Sequence, residues 1–450
     1  MLALRLTRRA HPAVQLRRLL VSMASAGTGF LLLCALGHAM THPDSPGASF
    51  LRLTWCAAPL AATVYFAVAV ARTDPGTRPR PGLAAIGLGP VRLMAVAATT
   101  TILSTLLGSM LALLFFLHLR GDLTGMPFDG AAAEFLAASE PLPLPAALTL
   151  LCLVPAAASV SVAVTLRPRE ARPAPAEGPR RFGRFGAYGA SGARETFGAY
   201  GRFGARLRRT EPAGSRAAGS APDPKKGGTP QARASENPPP APASDAQPTA
   251  TPSGLPWGTA ILAAGLAVEA YASTATTTAP MPGGLPTGPT AVLLGWALTA
   301  VGLALAGPGL THLCGRLLQS ARPGALRLLA GRVLMEEATR IGRPLGVVCA
   351  VASAAYAMAV LHDPTADGRT LGPLTTLGAT VVTGCAIATL LTAAVEARQA
   401  RADTTAALLR LGAPPTMLRS AAALRAGALL TVFGPLTLIV AELAALPLAR

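Results

Sequence analysis

The sequence predicts an all-α polytopic membrane protein: about nine transmembrane helices in two pseudo-repeated halves, joined by a disordered cytoplasmic linker. Three observations carry this reading. Apolar residues make up 51% of the 450-residue chain and charged residues only 13%, about half the charged share of a soluble domain. Apolar runs of ~20 residues, the length needed to cross a bilayer, recur along the chain. Arginines are dense in every second segment between those runs. Together with a mean hydropathy of +0.46, these features exclude a single soluble globular domain and wholesale disorder.

Nine runs qualify, at about 19–39, 53–71, 93–117, 143–166, 257–275, 289–310, 345–362, 372–395 and 416–440. The first is too long for the apolar region of a signal peptide and reads as an uncleaved span. The last apolar stretch runs on to Ala449, so the end of span nine is not fixed by the sequence. Nineteen arginines fall in the N-terminal tail and the segments 72–92, 311–344 and 396–419, against four (Arg52, Arg120, Arg369 and Arg450) on the opposite side. The positive-inside rule then places the N-terminus and the central linker in the cytoplasm. The high Ala, Gly, Pro and Arg content suggests a GC-rich bacterial genome, so the expected location is a bacterial plasma membrane. The C-terminus lies outside if span nine crosses fully.

Residues 167–255 change character. Pro, Gly, Ala, Ser and Arg dominate, with 15 basic and 7 acidic residues, a composition that cannot bury enough apolar surface to fold. Phe182-Gly183-Arg184-Phe185-Gly186-Ala187-Tyr188-Gly189 is echoed by Phe197-Gly198-Ala199-Tyr200-Gly201-Arg202-Phe203-Gly204. The plainest reading is a solvated tether. Interleaved arginines and aromatics also suit membrane lipid headgroups; single-stranded nucleic acid is the partner the sequence supports least. The resulting organisation is a first membrane half (1–166), the linker (167–255), two connecting spans (256–325) and a second membrane half (326–450).

The halves share a plan. Each starts with a basic stretch and a span, ending near His42-Pro43-Asp44 or His362-Asp363-Pro364. A second span follows, then an arginine-bearing segment with a Gly–Pro break, then a third span. In the second half, Glu396 to Leu411 has good helix formers, Gly412 suits a left-handed C-terminal cap, and Pro414-Pro415 cannot continue the helix. Gly89-Pro90 is expected to make the same turn in the first half. Leu326 to Ile341 has helical apolar spacing and is expected to lie as an amphipathic helix on the inner membrane surface.

No catalytic constellation is visible. The six cysteines have no CxxC spacing and read as small apolar fillers. The six histidines lack ligand spacing, so neither cofactor nor metal is expected. Asp122, Asp129, Glu134 and Glu140 give the outer loop 118–142 a negative face, most simply for solvation. Glu269 is the candidate intramembrane polar residue, a carboxyl inside span five beside Tyr271 and the run Ser273 to Thr278. Its place near the outer end of the span favours hydration over function. Glu442 is similar.

Glu396-x-Arg398-x-x-Arg401, followed by Leu408-Leu409-Arg410-Leu411-Gly412-Ala413 and an apolar span, resembles the permeases of ABC transporters with FtsX-like (MacB-type) membrane domains. The first-half copy, Ala84-Ala85-Ile86-Gly87-Leu88-Gly89, is degenerate. The likeness covers 326–440 well and 11–166 loosely. It implies a membrane subunit driven by a separate ABC ATP-binding chain, because this sequence has no GxxxxGK[ST] phosphate loop and so is not expected to be the ATPase or any other enzyme. It also implies that Arg398, Arg401, Arg410, Leu411, Gly412, Gly89 and Pro90 form the coupling projections. Pairing of permeases as a homo- or heterodimer is compatible with this. Two departures stand out: the large extracellular domain of the family is missing, and a tenth span after 440 is missing or vestigial. The rival reading is a non-transporting scaffold or regulator acting through the basic aromatic linker.

Overall fold

The computed structural model describes residues 12–74, 89–123, 130–133, 135–167, 254–272, 278–279, 288–289, 291–320, 324–361 and 372–446. Apart from its edges, the linker lies outside them. Among the described residues, nine helices are long and apolar enough to cross a membrane, and they coincide with the nine expected runs. The protein is a multi-pass helical membrane protein. The helices belong to one compact unit.

In chain order they are α1 (Pro12–Thr41), α2 (Pro46–Trp55), α3 (Ala57–Thr73), α4 (Pro90–Arg120), α5 (Leu144–Leu166), α6 (Gly254–Ala272), α7 (Ala291–Ser320), α8 (Ala325–Leu361), α9 (Pro373–Ala400), α10 (Ala402–Arg410) and α11 (Pro415–Ala445). Proline opens α2, α4, α9 and α11 at a position where its missing N–H costs nothing. The short α2 leads through Cys56 into α3, and together they make span two. A two-residue antiparallel pairing, β1 (Thr278–Ala279) with β2 (Gly288–Pro289), sits between α6 and α7.

The pseudo-repeat is visible in the packing. In each half the first and third spans run parallel and touch. A serine hydroxyl on the first donates to a threonine carbonyl on the third: Ser25 Oγ to Thr105 O at 2.8 Å, and Ser353 Oγ to Thr437 O at 3.0 Å. The second spans of the two halves, α3 and α9, pack against each other, where the Thr63 hydroxyl and the Cys385 thiol lie 4.0 Å apart. Interior positions favour small and hydroxylated side chains: Thr28 and Thr63 meet at 2.9 Å, and Ser109 donates to the carbonyl of Leu151. Large apolar residues such as Leu107, Phe115, Leu430 and Ile439 point outward. In lipid, helix association depends on close packing and hydrogen bonds rather than on hiding leucines, so this inversion is expected.

Helix α7 lies between α6 and α8. Gly295, Gly302 and Gly309, seven residues apart, face α6. A Cβ on Gly302 would come within 2.5 Å of the Leu262 nitrogen, so the backbones touch where only glycine fits. On the other side Gly342 of α8 lies against Pro308, and Gly331 against Gly315.

One expectation fails. The stretch 326–341 is not a separate helix lying on the membrane surface. It is the first half of α8, which runs unbroken through Pro344 for 37 residues, about 55 Å against a hydrocarbon core of ~30 Å. Of its apolar stripe, Leu334 is buried and Leu326, Leu329, Val333 and Ile341 are half-buried, with Ala330 and Ala338 buried beside them. Amphipathic spacing reports that one face is covered, not what covers it.

Candidate functional site

The expected elbow exists, built in two pieces rather than as one helix from Glu396 to Leu411. Helix α9 ends at Ala400, Arg401 holds the junction with φ −95° and ψ −3°, and α10 follows. Helix α10 then closes with a double cap. The N–H of Gly412 donates to Leu409 O at 3.1 Å, and that of Ala413 to Leu408 O at 3.0 Å. This is the Schellman pattern, and it needs a left-handed residue at Gly412, whose φ is +86°. Pro414 then turns the chain and Pro415 opens α11. Gly412→Val is expected to lose ~1–2 kcal/mol to left-handed strain, and Gly412→Asn far less, as read by thermal unfolding in detergent. No atom lies within 4 Å of an added Cβ, so crowding does not contribute.

Helix α10 has no buried residue. Arg398 and Arg410 are exposed, and Leu411 is 84% exposed. These three sequence-selected residues stand at a free surface. Arg401 does not: its Nε lies 3.1 Å from Glu337 Oε1 on α8, with side-chain exposures of 29% and 9%. It ties the elbow to the bundle. Arg425 of α11 also comes within electrostatic reach of Glu337 and Arg401. Counting arginines segment by segment passes over it, because it sits inside the ninth apolar run. A charge in an apolar run was the signal that could have found it.

The described part of the first-half break is built like the second: an extended N-cap, Gly89 here and Pro414 there, precedes the proline that opens the helix. Gly89 is the extended N-cap of α4, with φ −66° and ψ 166°, and Pro90 is its first residue. The segment before Gly89 lies outside the described residues, so only the re-entry half of the expected turn is seen. At the matching end of the bundle, Arg18 of α1 pairs with Asp74, just past α3, at 2.6 Å. Both halves therefore tie the start of their first span to the end of their second with an ion pair. The polarity is reversed: basic to acidic in the first half, acidic to basic in the second. No periodicity or spacing announces such a pair, since its members are 56 residues apart in one half and further in the other.

Glu269 is not hydrated. It is fully buried against Gly295 of α7, and its Oε1 accepts a hydrogen bond from Thr299 Oγ1 at 2.9 Å. It links α6 to α7. Glu442 accepts from the Tyr356 hydroxyl at 3.0 Å. In the segment after α4, Asp122 lies 3.3 Å from Arg120 Nε, and the carbonyl of Glu140 also accepts from Arg120. There these groups serve a buried arginine as well as solvent; Asp129 and Glu134 lie outside the described residues. His38 and His42 stack with ring centroids 4.2 Å apart. Among the described residues, no group of three His, Cys, Asp or Glu side chains is placed to hold a metal.

No family model, no curated protein and no solved structure matches this chain.

Proposed function

We propose that the chain is the membrane-spanning subunit of an ABC-type permease or mechanotransmission complex, driven by a separate ATP-binding chain. The observation that carries this reading is the elbow over residues 396–415. It offers an exposed Arg398, Arg410 and Leu411 to a partner, has its angle set by the Gly412 cap, and is anchored through Arg401–Glu337 to α8. Helix α8 in turn packs against α7, α9 and α11. A push on α10 therefore reaches three spans through rigid elements. Arg398 and Arg410 would meet acidic groups on the ATPase, and Leu411 an apolar pocket. Arg401 has a different role from them: it transmits, and does not touch the partner. Buried charge is scarce in the spans, which suits movement of amphipathic cargo or of force better than ion-coupled transport.

The test is affinity purification of the tagged chain from its native membrane in mild detergent, beside an Arg410→Glu, Leu411→Asp variant. Both positions are exposed, so the fold is expected to persist. A stoichiometric ATPase with a phosphate loop, present with wild type and lost in the variant, is the expected result. If no ATPase copurifies with wild type even after crosslinking, the permease reading fails and the linker at 167–255 becomes the element to study.

A further inference from the structure

The two halves treat one place differently. In the first half Arg18 pairs with Asp74 at 2.6 Å and Arg17 donates to the hydroxyl of Thr73 next to it, and the third span lines the cleft beside them with Thr100, Thr101 and Ser104. In the second half the third span brings a cation to the same place. Glu337 pairs with Arg401 at 3.1 Å and has Arg425 within electrostatic reach, together with Glu336 and Arg340 of its own helix. Arg425 donates from Nε to the carbonyl of Ala421, one turn back on its own helix, at 3.3 Å. No carboxylate among the described residues lies in ion-pair contact with it; Glu337 pairs with Arg401. The cluster therefore carries one more guanidinium than carboxylate.

Its depth is equally specific. Arg425 is 20 residues from the end of α11 at Ala445, which is ~30 Å of helix, the thickness of the hydrocarbon core. When the far end of α11 reaches one boundary of the core, the guanidinium sits at the other, level with the phosphates of the leaflet on the arginine-rich side. A guanidinium there is only partly hydrated, and a phosphodiester is the anion that the bilayer supplies at that height. Its paired oxygens match the guanidinium fork.

We propose that Arg425 holds the phosphate of an anionic phospholipid headgroup. A zwitterionic lipid brings its own cation to that surplus charge and binds less well. The site is a consequence of the broken symmetry between the halves, since the first half places hydroxyls where α11 places Arg425.

The test is native mass spectrometry of the full chain in detergent, titrated with dioleoyl-phosphatidylglycerol, dioleoyl-phosphatidylcholine or glycerol 3-phosphate. Wild type is expected to bind one phosphatidylglycerol about tenfold more tightly than phosphatidylcholine, the effect of one charge-assisted hydrogen bond. Arg425→Gln removes the preference, Arg425→Lys keeps most of it, and Arg419→Gln, at an exposed position on the same helix, leaves it unchanged. Arg425→Met, which keeps the apolar stem, is a second neutral variant should the glutamine variant not fold. The proposal is overturned if wild type shows no preference, or if the preference survives in a folded neutral variant. Displacement of the lipid by equimolar glycerol 3-phosphate overturns it too, by showing a site for soluble phosphate.

Discussion

Arg401→Ala is expected to cost ~2–3 kcal/mol of stability, while Arg398→Ala three residues away stays within ~0.5 kcal/mol. The contrast follows from placement. Glu337 is 9% exposed and has Arg401 as its ion-pair partner at 3.1 Å. Removing one member of a buried pair strands the other, which costs more than the pair contributes. Arg401 is 29% exposed, and Arg425 partly compensates Glu337, so the loss falls below that of a fully enclosed pair. Adding Glu337→Gln to the alanine variant is expected to recover most of it, because the stranded charge is gone. Thermal unfolding of the four proteins in one detergent decides. Equal losses at 398 and 401, or no recovery in the double variant, would show that the pair does not hold the elbow. The same series separates anchoring from docking in the complex: Arg401→Ala should weaken coupling without abolishing ATPase capture, whereas Arg410→Glu should abolish capture.

A larger effect is expected at Gly302. Valine there is expected to cost at least ~3 kcal/mol or to prevent folding. An added Cβ would stand 2.5 Å from the Leu262 nitrogen and 2.6 Å from its Cα. Both atoms are backbone, so no rotamer change relieves the contact, and α6 and α7 must separate. Separation also breaks the Thr299–Glu269 hydrogen bond, leaving a carboxyl in an apolar interface with no donor. Gly384→Val is the control, since nothing lies within 4 Å of a Cβ at that position on α9. Monodisperse yield and melting temperature of the two variants provide the comparison. A Gly302→Val protein as stable as Gly384→Val would mean that the α6–α7 contact is looser than described.

How much was legible in the chain depended on the range of the physics. The nine spans were legible because each is a property of ~20 consecutive residues: an apolar run must be helical in lipid, wherever it packs. The Gly412 cap was legible for the same reason. A left-handed residue followed by two prolines ends a helix locally, and the φ of +86° bears that out. The seven-residue spacing of Gly295, Gly302 and Gly309 was present in the sequence as a small-residue stripe and passed unread, although such stripes mark close helix contacts.

Other features depended on the partner across the gap. Nothing near Arg401 in the sequence distinguishes it from Arg398 or Arg410. Only α8, arriving with Glu337, turns it from a surface cation into an anchor. Leu326 to Ile341 showed an apolar stripe, and whether lipid or protein covered it was decided by α7 extending far enough to reach it. Glu269 stood near a helix end, where hydration is the cheaper outcome, until Gly295 and Thr299 closed over it. Sequence alone determined which segments cross the membrane and where the chain turns, because backbone hydrogen bonding in lipid is satisfied within each segment. Tertiary structure alone decided which charges are paired, buried or left over, because a charge's environment is set by residues that the chain places tens of positions away.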